Sequence, residues 1–595
     1  MSQMSPARRP ASIHDLLAGL LVAVFLLQSF FASLQKSPVY DEPPHIASGL
    51  SYLATGVFRA NLQHPPLLKE MSALFLRAAG IEWPRTEEAR ALIRGAPEAE
   101  NYEWPLGNEI IASNGPDRVM FWARLPFTLL AGLLAVLIYV WGRELAGPTA
   151  ALGALFLYAL DPTILAHSFL VTTDVGLAAF SMLFLWTVWR YVERPGRRRL
   201  AICGLAMGAM LGTKFSALFM AASASILMLA AVRWPLSQAD AAAAEAEPRS
   251  AKAGPNSPCP CGSGRKYKRC HGVAGSARPA VATSPRTRKM LERIGAFLAM
   301  CVLAALVVEA LYFFPRDPFL YLEGLKKVNA DHPAGYQYYF HGDTSTRFYG
   351  YFVAAYLLKE PLATIVLAAA GLWALVRGKS TPILTKLFLL LPPAVFLLAM
   401  TVFADNMGVR YLIPALPFAY LLGGMGAGRF VRKRPRVGPL CGRRPVPVGS
   451  HRRGRNLSRS PLLLQRNGLP AGKARPDRVG RRKPLRPLWL DDSNVDWGQG
   501  LKQLRQWEDR HGSVPPLRLA YPGAFPPDSY GLRYEPFLTH QLMPEPAPGW
   551  YAVSAHLVGR IPTVGEKFQQ GGGAWLRRIA PVAIVGHAFY IYEVR

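Results

Sequence analysis

The recurrence of long apolar runs constrains this 595-residue chain more than any other feature. A helix needs roughly 20 apolar residues to cross the hydrocarbon core of a bilayer, and a chain with many such runs must place them in lipid. Candidate spans fall at 14–34, 119–141, 147–162, 166–190, 199–213, 214–233, 291–314, 348–376, 386–404 and 409–428. The runs 147–162 and 199–213 are short for a crossing and suit a tight helical hairpin. The expected fold is a polytopic α-helical membrane protein with about ten or eleven transmembrane helices and a small α/β soluble domain at its C-terminal end. The first run has no small-residue cleavage site, so it reads as a retained span rather than a signal peptide.

Charge orients these spans. Arg8 and Arg9 precede the first, "ERPGRRR" (193–199) follows the fourth and "VRGKSTPILTK" follows the eighth. Short basic loops stay cytoplasmic. The 35–118 loop, "DPTILAHS" (161–168), the 315–347 loop and "DNMGVR" (405–410) then share the outer face. The formal net charge of +30 does not point to nucleic acid. Residues 429–488 hold nineteen Lys or Arg against the single acid Asp477, so more than half of the excess lies in one block.

The chain divides into an N-terminal transmembrane region (1–233) with its outer loop, a cytoplasmic loop (234–290), a second transmembrane region (291–428), the basic block (429–488) and a soluble C-terminal domain (489–595). The last ends in "APVAIVGHAFYIYEVR", whose β-branched and aromatic residues read as strands. Cys203 and Cys301 lie inside apolar runs, and Cys441 stands alone in the basic block. Cys259, Cys261, Cys270 and His271 form Cys-x-Cys, eight residues, then Cys-His. Three thiolates and an imidazole can close a tetrahedral structural zinc site, and "CGSG" turns the chain between the pairs. The segment "NSPCPCGSGRKYKRCHG" (256–272) resembles the SEC-C zinc motif found at the tails of translocation ATPases. The resemblance implies a bound zinc, and a secretion or ribosome-associated partner for this loop.

Chemistry-bearing residues cluster on the outer face. "VYDEPPHIASG" places Asp41 and Glu42 just after the first span. "LQHPPLLKEMSALFL" puts His64 ahead of two prolines, which favour the first turn of a helix. "VTTD" sets Asp174 in an apolar run, where a carboxylate is costly and marks a functional site by default. These segments, in this order, resemble the polyprenyl-phosphate-dependent membrane glycosyltransferases of the GT-C fold, which include protein O-mannosyltransferases and lipid A aminoarabinose transferases. "GTKFSA" (212–217), "NMGVRYLIPALPF" (406–418) and "LDDSNVDWGQGLKQL" (490–504) fit the same resemblance.

The resemblance implies transfer of a sugar from a polyprenyl-phosphate donor to a protein or envelope glycan, at the periplasmic face of a bacterial inner membrane. An acceptor hydroxyl must lose a proton as it attacks the anomeric carbon, and a positioned carboxylate can take it. By resemblance Asp41 is that base, and Glu42 positions the acceptor or supports Asp41. Lys214 and Arg410 are the cations for the leaving lipid phosphate, since Arg matches phosphate bidentately and Lys acts as a point charge. His64, with Asp174 or His341, would complete a divalent metal site with Glu42, a possibility the sequence leaves open. Rival readings are a transporter or lipid flippase using Asp174, and an assembly factor acting through the zinc loop. Internal repeats, expected of many transporters, are not visible.

The basic block departs from that pattern, which calls for another apolar span there. A one-base shift of "SPLLLQRNG" (460–468) encodes, with permissible codons, His-Pro-Phe-Tyr-Phe-Asn-Glu-Met, close to a segment the family carries. The block thus reads as out-of-frame translation, the alternative being a genuine basic linker. Ten spans leave the tail in the cytoplasm, whereas an eleventh returns it to the outer face.

Overall fold

A computed structural model describes residues 12–234, 285–331, 335–433, 489–512, 515–568 and 571–595, and the single positions 236, 256, 265, 266 and 269. The zinc-motif residues Cys259, Cys261, Cys270 and His271, and the basic block beyond Lys433, lie outside the described residues.

The N-terminal half is helical throughout. Helix α1 (Ile13–Leu34) leads to the loop region, which folds as α2 (Glu42–Thr55), α3 (Leu67–Ala78), α4 (Glu87–Arg94) and α5 (Glu103–Ser113). There follow α6 (Pro116–Ala146), α7 (Pro148–Ala159), the single turn and a half of α8 (Pro162–His167), α9 (Thr173–Glu193), α10 (Arg197–Leu211) and α11 (Ala217–Arg233). Further helices run over Pro285–Leu311, Leu320–Ala330, Tyr351–Lys359, Leu362–Arg377, Ile383–Phe403 and Leu416–Lys433.

Six helices among the described residues are long and apolar enough to cross a membrane, and a bent pair makes a seventh. This is fewer than the ten runs expected, because two runs are broken and two form helices of only 15 and 17 residues. The run 348–376 bends by 115° between Tyr351–Lys359 and Leu362–Arg377. Pro361 removes a backbone donor and forces its predecessor out of the helical region, and Glu360 sits at φ −77, ψ 143. The run 147–162 yields only α7, about 18 Å long at 1.5 Å per residue, before Asp161 and Pro162 restart the chain as α8.

Exposed leucines and phenylalanines stud α1 (Leu16, Leu20, Leu27, Phe31) and the Pro285–Leu311 helix (Leu298, Val302, Leu306), where lipid would lie. Helices α6, α9 and Leu416–Lys433 form the buried centre. The segments assigned by charge to one face do assemble at one end of the bundle. Gln63 donates to Asp331 at 2.5 Å, the Tyr338 hydroxyl bonds Asp405, and His45 meets the carbonyl of Val171.

The same end carries the C-terminal region. Its five-stranded sheet has the order β4-β3-β5-β7-β6, where β3 is Leu517–Ala520, β4 Tyr534–Pro536, β5 Gly549–Ser554, β6 Ala583–Val585 and β7 Phe589–Val594. A two-stranded ribbon, β1 (Tyr338–Phe340) and β2 (Asp343–Ser345), lies earlier in the chain. Strands β6 and β7 realise the strand pattern read in the tail. Gly586 and His587, at φ 59 and 58, form the tight turn between them. With Ala588 they make a three-residue loop between the paired Val585 and Phe589, and the Ala588 amide donates to the Val585 carbonyl at 3.0 Å.

Candidate active site

Helix α2 explains how "YDEPPH" presents two neighbouring carboxylates differently. Pro43 and Pro44 occupy its first turn, where a missing N–H costs nothing. Asp41 is the N-cap residue, yet its side chain makes no capping bond. It turns instead to Arg410, whose Nη1 donates to Oδ2 at 3.0 Å. Glu42 points the other way and is fully buried. Arg124 of α6 grips it through Nε (2.8 Å) and Nη2 (2.5 Å), while the amides of Val39 (2.9 Å) and Val171 (3.0 Å) donate to its two oxygens. The same guanidinium donates to the carbonyls of Ser33, Lys36 and Ser37. Both oxygens of Glu42 are engaged, so it ties the Asp41 loop to α6 and to the segment leading into α9.

Asp174 lies in the first turn of α9, and Lys214 in the short Gly212–Ser216 turn between α10 and α11. Lys214 Nζ donates to Asp174 Oδ1 at 2.7 Å, and Arg410 Nη1 stands 3.7 Å from Asp174 Oδ2. Arg410 therefore bridges Asp41 and Asp174, and Lys214 closes the far side. Two carboxylates and two cations from four separate segments meet in one cluster. Tyr411 lies under both cations, 4.8 Å from Lys214 Nζ and 5.2 Å from the Arg410 guanidinium, and Trp497 covers Arg410 at 4.0 Å. Arg410 Nε is buried with no partner, a donor left for an anion.

His64 belongs to a second group beside the first. Its ring meets that of His45 edge-on, 5.2 Å between centroids, and its Nδ1 is buried without a partner. Burial and the neighbouring cations push the His64 imidazole well below its usual range, and burial takes His45 down to about 4. Both shifts favour the neutral ring. Lys69 anchors this wall, donating to the Tyr52 hydroxyl (3.0 Å) and to the carbonyls of Asn61 and His64 (2.7 Å each). Burial lowers Lys69 to about 7 and raises Glu70 to about 8.

The structure thus brings together Asp41, Asp174, Lys214 and Arg410, with His64 nearby. It does not assemble the metal site suggested for Glu42, His64 and Asp174 or His341. Glu42 is saturated by Arg124, Asp174 is paired with Lys214, and His341 packs on Trp489 in the β1–β2 turn, 3.8 Å between centroids. No group of three His, Cys, Asp or Glu among the described residues is placed to hold a metal. Sequence reasoning missed Arg124, although a lone arginine in the apolar "FWARLPF" was a signal that it has a buried partner. It also missed His45 and Trp497, although both lie inside segments that carry the resemblance, "VYDEPPHIASG" and "LDDSNVDWGQGLKQL".

The fold and site define a polytopic helical membrane protein with a buried, charge-balanced cluster at one end of its bundle and a small sheet-containing region against that end. Residues 116–241, from α6 to just beyond α11, match the family model described as "Dolichyl-phosphate-mannose-protein mannosyltransferase", and residues 256–272 match the SEC-C motif. The resemblance carried by the sequence motifs is borne out over these segments. No curated protein matches the chain. Among solved structures it is similar to ArnT from Cupriavidus metallidurans in the apo state, with 14% identity and a TM-score of 0.42 over 70% of this chain and 60% of that one. The same protein bound to undecaprenyl phosphate gives 15% identity and 0.40, again over 70% and 60%. The Archaeoglobus fulgidus oligosaccharyltransferase in complex with Zn and sulfate gives 13% and 0.37 over 71% and 49%. The chain spans about half to three fifths of the length of these proteins.

Proposed function

We propose that this chain is a membrane glycosyltransferase that moves a sugar from a polyprenyl-phosphate carrier to a protein, glycan or lipid hydroxyl at the outer membrane face. The observation that carries this reading is the convergence of Asp41, Asp174, Lys214 and Arg410, with separations of 2.7 to 3.7 Å. The reaction needs a carboxylate to receive a proton and cations to receive a phosphate, and this cluster holds both kinds of group.

In this reading the acceptor hydroxyl gives its proton to Asp41 as its oxygen bonds to the anomeric carbon. The bond from that carbon to the phosphate oxygen breaks, and the electron pair leaves on the lipid phosphate. Arg410 and Lys214 stabilise that growing charge. Asp174 keeps both cations in place before the donor arrives. An incoming phosphate competes with Asp41 for Arg410, so donor binding would free the base in the act of engaging the cation.

The 256–272 segment adds a separate expectation. Cys259, Cys261, Cys270 and His271 supply the three sulfurs and one nitrogen of a structural zinc site, and would fold a piece too small for its own core. Zinc content of the purified protein should fall by one equivalent in Cys259→Ser.

The decisive experiment measures transfer from labelled polyprenyl-phosphate sugars by purified protein in vesicles. Asp41→Asn should lower the rate by about 100-fold or more, the scale of a lost general base. Unchanged transfer would remove Asp41 from the chemistry. Lys214→Ala and Arg410→Ala should weaken donor use while Asp41→Asn retains donor binding.

A further inference from the structure

The charged cluster is made from the transmembrane half of the chain, yet residues 491–498 of the C-terminal region hold two of its members. Asn494 Oδ1 accepts the amide of Val409, one residue before Arg410, at 3.0 Å. Its Nδ2 donates to the Tyr351 hydroxyl at 2.8 Å, and Lys359 bonds its carbonyl. Ser493 donates to the carbonyl of Met407 at 2.7 Å, so the turn before Arg410 is fixed on both sides. A Cβ at Gly408 would lie 2.2 Å from Ser493 Oγ, so a side chain there would displace the hydroxyl that bonds Met407. The carbonyl of Trp497 accepts the amide of Tyr40, one residue before Asp41, at 2.9 Å. Its indole lies against the Arg410 guanidinium at 4.0 Å.

This loop is in turn held by the sheet. Asp496 accepts the Gly498 amide at 3.0 Å and the Ser554 hydroxyl at the end of β5. Gly498, at φ 98, adopts a backbone conformation that a residue with a side chain rarely takes. A continuous set of contacts therefore runs from β5 through Asp496 to Trp497 and Asn494, and from these to Arg410 and the Asp41 loop.

We infer that Asn494 and Trp497 are positioning residues of the active site, through which the C-terminal region sets the backbone before Arg410 and aims its guanidinium at the donor phosphate. A stacked guanidinium keeps its edge N–H groups for hydrogen bonding while its face is covered, so Trp497 restricts Arg410 without consuming its donors. The docking contact thus has a specificity role: it selects where the anion is received. As it concerns a phosphate, this inference rests on the glycosyltransferase reading, but its backbone component does not.

Two measurements on the full chain in detergent test it. Hydrogen exchange of the peptide spanning 405–412 should speed up in Asn494→Ala, since the Val409 amide loses its acceptor. Affinity for undecaprenyl phosphate should fall roughly tenfold in Trp497→Ala, the scale of a partly desolvated cation–π contact, and return towards the original in Trp497→Phe, with the unfolding midpoint unchanged. Unaltered exchange in Asn494→Ala together with equal affinity of all three proteins would overturn the inference. Equal affinity of the Ala and Phe variants, both weakened, would overturn the stacking role of Trp497. Should the unsubstituted protein bind no undecaprenyl phosphate, the donor reading falls, and the exchange result still decides the positioning by Asn494.

Discussion

Asp41 and Glu42 are adjacent in sequence and opposite in circumstance. Asp41 keeps an edge towards the cluster, with its side chain about a quarter exposed, whereas Glu42 is buried with both oxygens bonded. Removing one partner of such a buried pair strands the other charge, at a cost of about 3–5 kcal/mol. Arg124→Met and Glu42→Gln should therefore lower the unfolding midpoint in detergent, whereas Asp41→Asn should leave it nearly unchanged while lowering transfer by about 100-fold or more. Asp496 offers a pH-dependent counterpart. Burial raises its carboxyl from 3.8 to about 6, so the folded chain binds more protons than the unfolded one between those values. Stability from this group is complete below pH 4 and is lost as pH rises towards 6, by no more than about 3 kcal/mol. Melting curves of Asp496→Asn against the original, from pH 4.5 to 7.5, should show a flatter decline with rising pH in the variant. Asp41, Asp174, Lys214 and Arg410 were legible because a charge beside or inside an apolar run needs a reason. The pairing of Glu42 with Arg124 was not, since 82 residues separate the two and only packing brings them together.

At the scale of elements, glycine decides which helices touch. The Leu362–Arg377 and Leu416–Lys433 helices pack so closely that a Cβ at Gly371 would overlap the Leu422 carbonyl, and one at Gly426 the Leu367 carbonyl. On its other side Leu416–Lys433 meets α7, where a Cβ at Gly424 would overlap the Ala150 carbonyl and lie 2.6 Å from the Ala154 nitrogen. Small residues allow such approach in lipid, where apolar burial gives helices little reason to associate. Gly371→Ala and Gly424→Ala should each destabilise by about 1–3 kcal/mol, as overpacking does, measured by thermal unfolding in detergent. The Gly424 change acts on the helix that follows Arg410, and should also weaken donor use. The apolar runs themselves were legible from composition. Their breaks were less so: Pro361 and Pro162 stand in sequence as warnings, but whether proline bends a span or ends it depends on what packs around it.

The whole molecule poses a question of sides. Helix Leu416–Lys433 begins beside the cluster, at the end where Arg410 and Asp41 meet, and runs away from it. The chain returns at Leu490 and Asn494, which are docked at the cluster end against Phe340, Val409 and Tyr351. If the helices between lie in a membrane, residues 434–488 must carry the chain back across it. That stretch has no apolar run of about 20 residues, and each Lys or Arg at the centre of a spanning helix costs about 2.5–3.5 kcal/mol. The out-of-frame reading of 429–488 would reconcile the docked C-terminal region with this charge count by restoring a span. A cysteine introduced at exposed Asp528 reports the side. In a chain with the frame restored, an impermeant maleimide should label Asp528→Cys from the outer face. In the chain as written, labelling should require inverted vesicles if 429–488 is out of frame and adds no span. Outer-face labelling of the chain as written would show that the basic block itself crosses, and the frame argument would fall.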